Sequence, residues 1–325
     1  MDKVQWGIIG CGDVTEVKSG PALQLVEGSS LVAVMRRNGE LAKDYAKRHG
    51  VPKWYDDAEA LIEDPEVTAI YVATPPSSHK EYVMMAARAL KPVYVEKPMA
   101  LNLQEATEMN DYCKGLGVPL YVAYYRRALP RFLKVKDLIE EGYIGEVRYV
   151  ITEQSTPLLP MENGEEQPWR VRPEVSGGGI FFDMASHTLD LLDYLLGPIE
   201  EVKGLAVNQA GAYRAEDAVS CSYTFASGVI GTGLWNFAAY REDDWNKIVG
   251  TKGEIVFSSF REKPVILYTK NGEEQFIVER PKHIQQPFIQ KMVEALYGRG
   301  NCPSTGDTAL RTNKIMEKIL ADYYK

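Results

Sequence analysis

Cysteine is scarce in this chain: Cys11, Cys113, Cys221 and Cys302 are the only four in 325 residues, and no two form a C-x-x-C pair. That spacing carries no signal of a zinc site or a dithiol redox motif and reads as free buried thiols in a reducing compartment. Histidine is equally sparse. Four residues with no His/Cys/Glu cluster at ligand spacing lead us to expect no catalytic metal. No apolar run approaches the ~20 residues that span a bilayer. Basic runs are missing too, with Lys and Arg totalling 37 against 45 Asp and Glu, a net charge of -8. An acidic chain gains no electrostatic help toward nucleic acid or an anionic membrane, so small molecules are the expected partners. The N-terminal residues enter a strand pattern at once, with no basic segment, apolar stretch or cleavage site. No secretory signal is visible, and a cytoplasmic location is expected.

What the chain does contain is an ordinary globular composition, 45% hydrophobic and 25% charged, long enough for two domains. In its first part, β-rich apolar runs ("VQWGIIG", "SLVAVMR", "TAIYVAT", "PVYVEK", "PLYVAYY") alternate with helical patterns such as "ELAKDYAKRHG" and "HKEYVMMAARALK". This alternation predicts βαβ units and a parallel, doubly wound sheet. The texture changes near Gly145. A Pro/Glu/Gly-rich loop runs to Gly179, "GGIFFDMASHTLDLLDYLLG" follows as a long helix, and successive β patterns come after it with few helices between them. The Asn271-Gly272 pair is a hairpin signal among these. The predicted fold class is α/β: an N-terminal Rossmann doubly wound parallel sheet over residues 1–123, then an α+β domain with a large, mostly antiparallel open sheet over 124–325. The C-terminal helices can pack back on the first domain.

The turn "GIIGCGDVT" carries the first functional signal. Gly10 and Gly12 match a dinucleotide-binding G-x-G-x-x-G, but Thr15 stands at the third glycine. The turn follows an apolar strand and precedes a helix, so Gly10 permits the tight turn and Gly12 lets the backbone approach a pyrophosphate, with Asp13 and Val14 beside it. The third glycine serves helix packing, so Thr15 is expected to loosen that packing without removing the anion site. At the end of the second strand, where an acidic residue would bind the ribose 2′-OH of NAD, the chain has Arg36 and Arg37. Guanidinium groups pair with a 2′-phosphate, which favours NADP over NAD.

Together with "VATPPSSH", "EKPMA", "GGGIFFDMASHTLD" and "PSTGDTALRTNKIMEKIL", in that order over nearly the whole chain, this turn resembles the Gfo/Idh/MocA oxidoreductases. That family includes inositol, glucose–fructose and 1,5-anhydrofructose-type enzymes. The resemblance implies an NAD(P)-dependent dehydrogenase or reductase acting on the CH–OH group of a sugar or polyol. It implies that Lys97 contacts the nicotinamide ribose and the substrate oxygen, where an ammonium stabilises developing alkoxide charge. It places Asp183 and His187 against the substrate, His187 as general acid/base and Asp183 orienting substrate or Lys97. Thr74, Pro75, His79 and Glu96 join the cofactor side.

Asp183 and His187 are spaced i, i+4 and share a helix face, and on so apolar a helix they must pair or line a cavity. The loop residues Trp169 and Arg170, with Tyr125 and Arg126 at the end of a strand, are the expected substrate contacts. His49 reads as a surface residue and His283 as lying in a polar linker. Two other readings stay open on sequence alone: a non-catalytic dinucleotide-binding sensor of the same fold, and an NAD-dependent glycosidase. The open β face is expected to be covered in a homodimer or homotetramer.

Overall fold

The computed structural model describes residues 3–160 and 167–325; part of the predicted Pro/Glu/Gly-rich loop, 161–166, lies outside the described residues. The chain divides into two compact units, residues 1–129 with 281–310, and residues 130–280 with 311–325. The predicted boundary is 123/124, with the C-terminal helices free to return to the first domain. The division observed lies six residues later, and it is the segment 281–310 that is counted with the first unit.

The first unit is built on six strands: β1 (Val4–Ile9), β2 (Ser29–Met35), β3 (Lys53–Tyr55), β4 (Ala69–Val72), β5 (Val93–Val95) and β6 (Leu120–Val122). All pairs are parallel, in the order β3-β2-β1-β4-β5-β6. This is the doubly wound order, and its switch point falls between β1 and β4. The helices are α1 (Asp13–Val17), α2 (Gly20–Leu25), α3 (Gly39–His49), α4 (Ala58–Glu63), α5 (His79–Arg88) and α6 (Leu103–Gly115). Local chemistry sets several of their ends. Asn38, Asp57 and Asn102 accept from main-chain N–H groups as N-caps, and Gly50 closes α3 in the left-handed region. The near-continuous apolar strands are buried on both faces. On one of them Tyr71, Tyr94 and Tyr121 sit in register on β4, β5 and β6, with Tyr71 stacked on Tyr94 at 4.6 Å and Trp6 edge-on to it at 6.5 Å.

The second unit opens with α7 (Pro130–Glu140) and contains the short α8 (Pro173–Ser176) and the long α9 (Ile180–Leu196). Its strands are β7 (Val147–Ser155), β8 (Ile199–Val207), β9 (Ala218–Phe225), β10 (Ile230–Asn236), β11 (Asp243–Gly250), β12 (Gly253–Phe257), β13 (Val265–Thr269) and β14 (Gly272–Phe276). They form one sheet in the order β14-β13-β12-β11-β7-β10-β9-β8, antiparallel except for the β7–β10 pair. Alternation along β7 turns Val150, Thr152 and Gln154 inward, and β10 places Trp235 on the same side, where Phe181 of α9 meets it edge-on at 5.2 Å. The opposite face leaves Tyr149, Leu205, Ile230 and Leu234 exposed. The expected hairpin is present, but Thr269 pairs with Gly272, so its loop is Lys270–Asn271 and Gly272 opens the returning strand.

Residues 281–310 supply α10 (Gln286–Leu296) to the first unit, where fully buried Phe288 stacks on Tyr94 at 5.8 Å. The last helix, α11 (Gly306–Leu320), starts in residues of the first unit and continues in the second. There Arg311 pairs with Asp193 and the Thr312 hydroxyl with Asp190 at 3.2 Å, both acids belonging to α9.

Candidate active site

In the first unit, β1 stops at Ile9 and the chain turns at Gly10, whose φ of +89 is open to glycine at little cost. A Cβ at Gly10 would lie 2.6 Å from Thr74 Cγ2, so the turn sits directly against the end of β4, at the switch point. Position 12 opens outward: a Cβ there would meet nothing nearer than 3.9 Å. Thr15 corrects the expectation of loosened packing. Its side chain is fully buried, accepting from the Gly12 N–H at 3.0 Å and donating to the Gly12 carbonyl at 2.8 Å. The close approach required of the missing glycine is made at Gly20 instead, where a Cβ would fall 2.3 Å from both Thr15 O and the Tyr45 hydroxyl. The helix is interrupted there, and α1 ends after five residues.

This arrangement fits a dinucleotide. With the Gly12 N–H engaged by Thr15, the first N–H groups of α1, those of Asp13 and Val14, have no intrahelical acceptor and remain for an anion. The Thr74 hydroxyl beside the turn is buried, with no hydrogen-bond partner among the described residues. Cys11 is an inert part of the turn, since burial pushes its thiol up to about 11. Arg36 and Arg37 follow β2 and are both exposed. His49 is no plain surface residue: it is half-buried, bonded to Glu16 at 2.7 Å and stacked on Tyr45 at 4.2 Å. Arg48 and His49 hold Glu16 well down, at about 2, and thereby fasten α1 to α3. His283 is also placed, its Nδ1 2.7 Å from the Val17 carbonyl.

At the end of β5, Glu96 and Lys97 divide their tasks. Lys97 is half-buried and precedes Pro98 through a cis peptide bond. Glu96 is buried and turned inward. Its Oε1 accepts from the Tyr71 hydroxyl at 2.7 Å and Gln285 Nε2 at 2.8 Å, and its Oε2 faces the Lys97 N–H at 3.2 Å. Gln285 in turn accepts from the Tyr94 hydroxyl at 2.7 Å. His79 is fully buried, Nε2 lying 2.7 Å from Thr74 O and Nδ1 3.1 Å from Pro98 O. Burial lowers its pKa despite those carbonyls. Glu96 and His79, expected on the cofactor side, are both buried, Glu96 at the end of β5 and His79 at the start of α5. His79 ties the loop after β4 to that after β5 through Thr74 O and Pro98 O, whereas Glu96 ties the end of β5 to Tyr71 of β4 and to Gln285. Gln285 went unnoticed in the sequence, since nothing near position 285 marks it as a partner of position 96. Tyr125 and Arg126 lie in one buried turn after β6, the guanidinium 5.2 Å from the Tyr125 ring centre.

In the second unit, α9 carries Asp183 and His187 one turn apart, as their spacing predicts, and both are buried. Arg170 Nε donates to Asp183 Oδ2 at 3.1 Å, and its guanidinium lies 4.5 Å from the Trp169 ring centre. The loop and helix residues singled out from the sequence therefore gather at Asp183. Two features were not foreseen. The buried Glu216 carboxylate accepts from the Gly179 N–H at 2.8 Å, capping α9, and from the Tyr324 hydroxyl at 2.5 Å. Phe260, from the segment after β12, stands edge-on to the His187 ring with centres 6.0 Å apart. Among the described residues no group of three His, Cys, Asp or Glu side chains is placed to hold a metal ion.

Residues 4–124 match the oxidoreductase family with an NAD-binding Rossmann fold, and residues 132–256 match the Gfo/Idh/MocA C-terminal domain. A protein of Formosa agariphila named Oxidoreductase P35 is 41% identical over 97% of this chain and 98% of its own length. The myo-inositol 2-dehydrogenase of Thermotoga maritima is 30% identical over 82% of this chain and 79% of its own. In fold, the chain superposes on levoglucosan dehydrogenase in complex with NADH and levoglucosan with a TM-score of 0.86, at 22% identity and covering 98% and 97% of the two chains. The chain belongs to the Gfo/Idh/MocA family of NAD-binding oxidoreductases.

Proposed function

We propose that this oxidoreductase passes a hydride between a nicotinamide cofactor and the carbinol carbon of a sugar, polyol or related hydroxy or keto compound. The observation that carries the reading is the burial of Asp183 and His187 one turn apart on α9, a largely apolar helix whose other buried acids, Asp190 and Asp193, are engaged by Thr312 and Arg311, with Arg170 and Trp169 drawn to Asp183. Two titratable groups on such a helix are costly unless chemistry or pairing employs them. The bound nicotinamide supplies or accepts the hydride at C4. His187 takes the proton of the reacting hydroxyl at Nδ1 or Nε2 and returns it in the reverse direction, because an imidazole titrates near working pH. Lys97 offsets the alkoxide-like charge on the reacting oxygen. Asp183 orients the substrate, and Trp169, Arg170, Tyr125 and Arg126 contact it.

On the cofactor side, Gly10 and Gly12 give the turn its shape, the Asp13 and Val14 amides receive the pyrophosphate, and Thr74 and Pro75 flank it. Lys97 faces the ribose, with His79 holding the loops after β4 and β5 and Glu96 holding the end of β5. Arg36 and Arg37 select NADP over NAD, a reading supported by their exposure immediately after β2. Residues 1–123 would then serve the cofactor, and 124–325 the substrate and oligomer contacts. The exposed Tyr149, Leu205, Ile230 and Leu234 support a homodimer or homotetramer closed over that sheet face, readable by sedimentation. The four free, buried cysteines support a reducing, cytoplasmic setting.

The test is a panel of myo-inositol, 1,5-anhydro-D-fructose, levoglucosan and L-sorbose, each assayed with NADP and NAD in the appropriate oxidation state. Turnover of at least one supports the substrate class. Cofactor binding with no turnover of any polyol or ketose, in a wider set as well, would overturn it.

A further inference from the structure

Asp244 lies on the inner face of the second unit's sheet, 4% exposed, and none of the chemistry above uses it. A carboxylate so placed is costly unless it is fully hydrogen-bonded. Here the donors come from one short segment. The Ser258 hydroxyl and the N–H groups of Phe260, at 2.7 Å, and Arg261, at 3.2 Å, reach Oδ2, and the Ser259 N–H reaches Oδ1 at 3.1 Å. Three consecutive main-chain donors converging on one buried side chain leave the segment little freedom to shift.

A second set of bonds fixes where the segment points. Ser259 Oγ is bonded to Asn246 Nδ2 at 2.9 Å, and Asn246 Oδ1 accepts from the Thr152 hydroxyl at 2.9 Å, so two neighbouring strands anchor it. Thr188, the residue after His187 on α9, donates to the same Ser259 oxygen at 3.0 Å. All four side chains are at most 3% exposed. The segment is thus registered to α9 within one residue of His187, and the next residue along, Phe260, presents its ring to the imidazole at an interplanar angle of 74°. Edge-to-face packing of this kind restricts an aromatic ring without forming a bond to its nitrogens.

We propose that Phe260, held by the Asp244 clasp, is a positioning residue for His187, fixing the orientation from which the imidazole exchanges its proton. The proposal rests on the reading of His187 as acid/base. It assigns Asp244 the task of making Phe260 rigid, since a small displacement of a catalytic group can cost about a hundredfold in rate.

The experiment uses the full-length protein labelled at histidine. With only four histidines, the His187→Asn variant identifies the ring signals of residue 187. Phe260→Leu removes the ring, Phe260→Tyr keeps it, and Asp244→Asn weakens the clasp. Phe260→Leu should shift and broaden the His187 ring resonances and lower kcat by roughly tenfold on whichever of the four panel compounds the wild type turns over, with KM and melting temperature near wild type. Phe260→Tyr should restore both signal and rate, and Asp244→Asn should fall between them. Unchanged ring signals and kcat in Phe260→Leu would overturn the proposal. So would shifted signals with kcat unchanged while His187→Asn remains inactive. Turnover kept in His187→Asn would overturn the acid/base reading itself, and is recognised separately because it does not depend on residue 260.

Discussion

Thr15 fills the place of a glycine and still serves the turn, because its hydroxyl returns to Gly12 while Gly20 provides the close approach. The sequence shows the substitution but not the compensation, which depends on where Tyr45 of a different helix falls. Arg36 and Arg37 are more legible, since their exposed position directly after β2 follows from the strand pattern alone. Replacing both by Ala should weaken NADPH binding by about 1.5–3 kcal/mol for each guanidinium that pairs with the 2′-phosphate, and NADH binding far less. Titration with the two cofactors checks this, and equal losses would remove the preference. His79 carries a pH consequence. Its folded pKa is lowered below the ordinary 6.5, mainly by burial. The stability tied to the neutral ring is therefore fully present above about pH 6.5 and is lost as pH falls through the lowered value. His79→Gln does not titrate, so denaturation of this variant should show a flatter decline below pH 6.5 than wild type. Parallel curves would contradict the assignment.

Helix α9 was legible as an element because apolar spacing, the flanking glycines and the i, i+4 acid–imidazole pair all agree. What holds it in place was not. Nothing in the sequence marks the partners of Asp190 and Asp193, which are Thr312 and Arg311. Glu216, which caps the helix, comes 37 residues after Gly179 along the chain. Pairings of this separation are set by the fold and leave no local signal, as with Asp244 and Phe260. Burial is the main influence on Glu216 and raises its pKa from 4.5, against the donors that face it. A raised carboxyl favours the folded state fully below about pH 4.5, and that contribution is lost as pH rises through the raised value. Glu216→Gln keeps an acceptor for the Gly179 N–H and acquires no buried charge as pH rises. Its stability should improve relative to wild type as pH rises across that window, measured by urea unfolding at several pH values. A constant difference would show that burial of the charge is not the controlling feature.

On the scale of the whole chain, strand and helix alternation was enough to foresee a parallel sheet followed by a mostly antiparallel one. It allowed the C-terminal helices to return to the first domain but did not single out residues 281–310, because "QPFIQKMVEALYG" reads equally well as a helix on either. The tyrosines of β4, β5 and β6 give the physical reason: their face of the sheet needs an apolar cover, and Phe288 provides part of it. Phe288→Ala should cost about 3–5 kcal/mol, read as a lower midpoint in chemical denaturation of the first unit. A transition unchanged from wild type would mean that α10 adds nothing there. Lys97 and His187 are together expected to carry the chemistry. Single-turnover hydride transfer, followed by loss of reduced-nicotinamide absorbance with the panel compound that wild type reduces, tests this most directly. Lys97→Ala should be slower by roughly a hundredfold or more and His187→Asn by roughly 10²–10⁴, with cofactor affinity and melting temperature near wild type. Near-wild-type transfer in either folded, cofactor-bound variant would contradict the account.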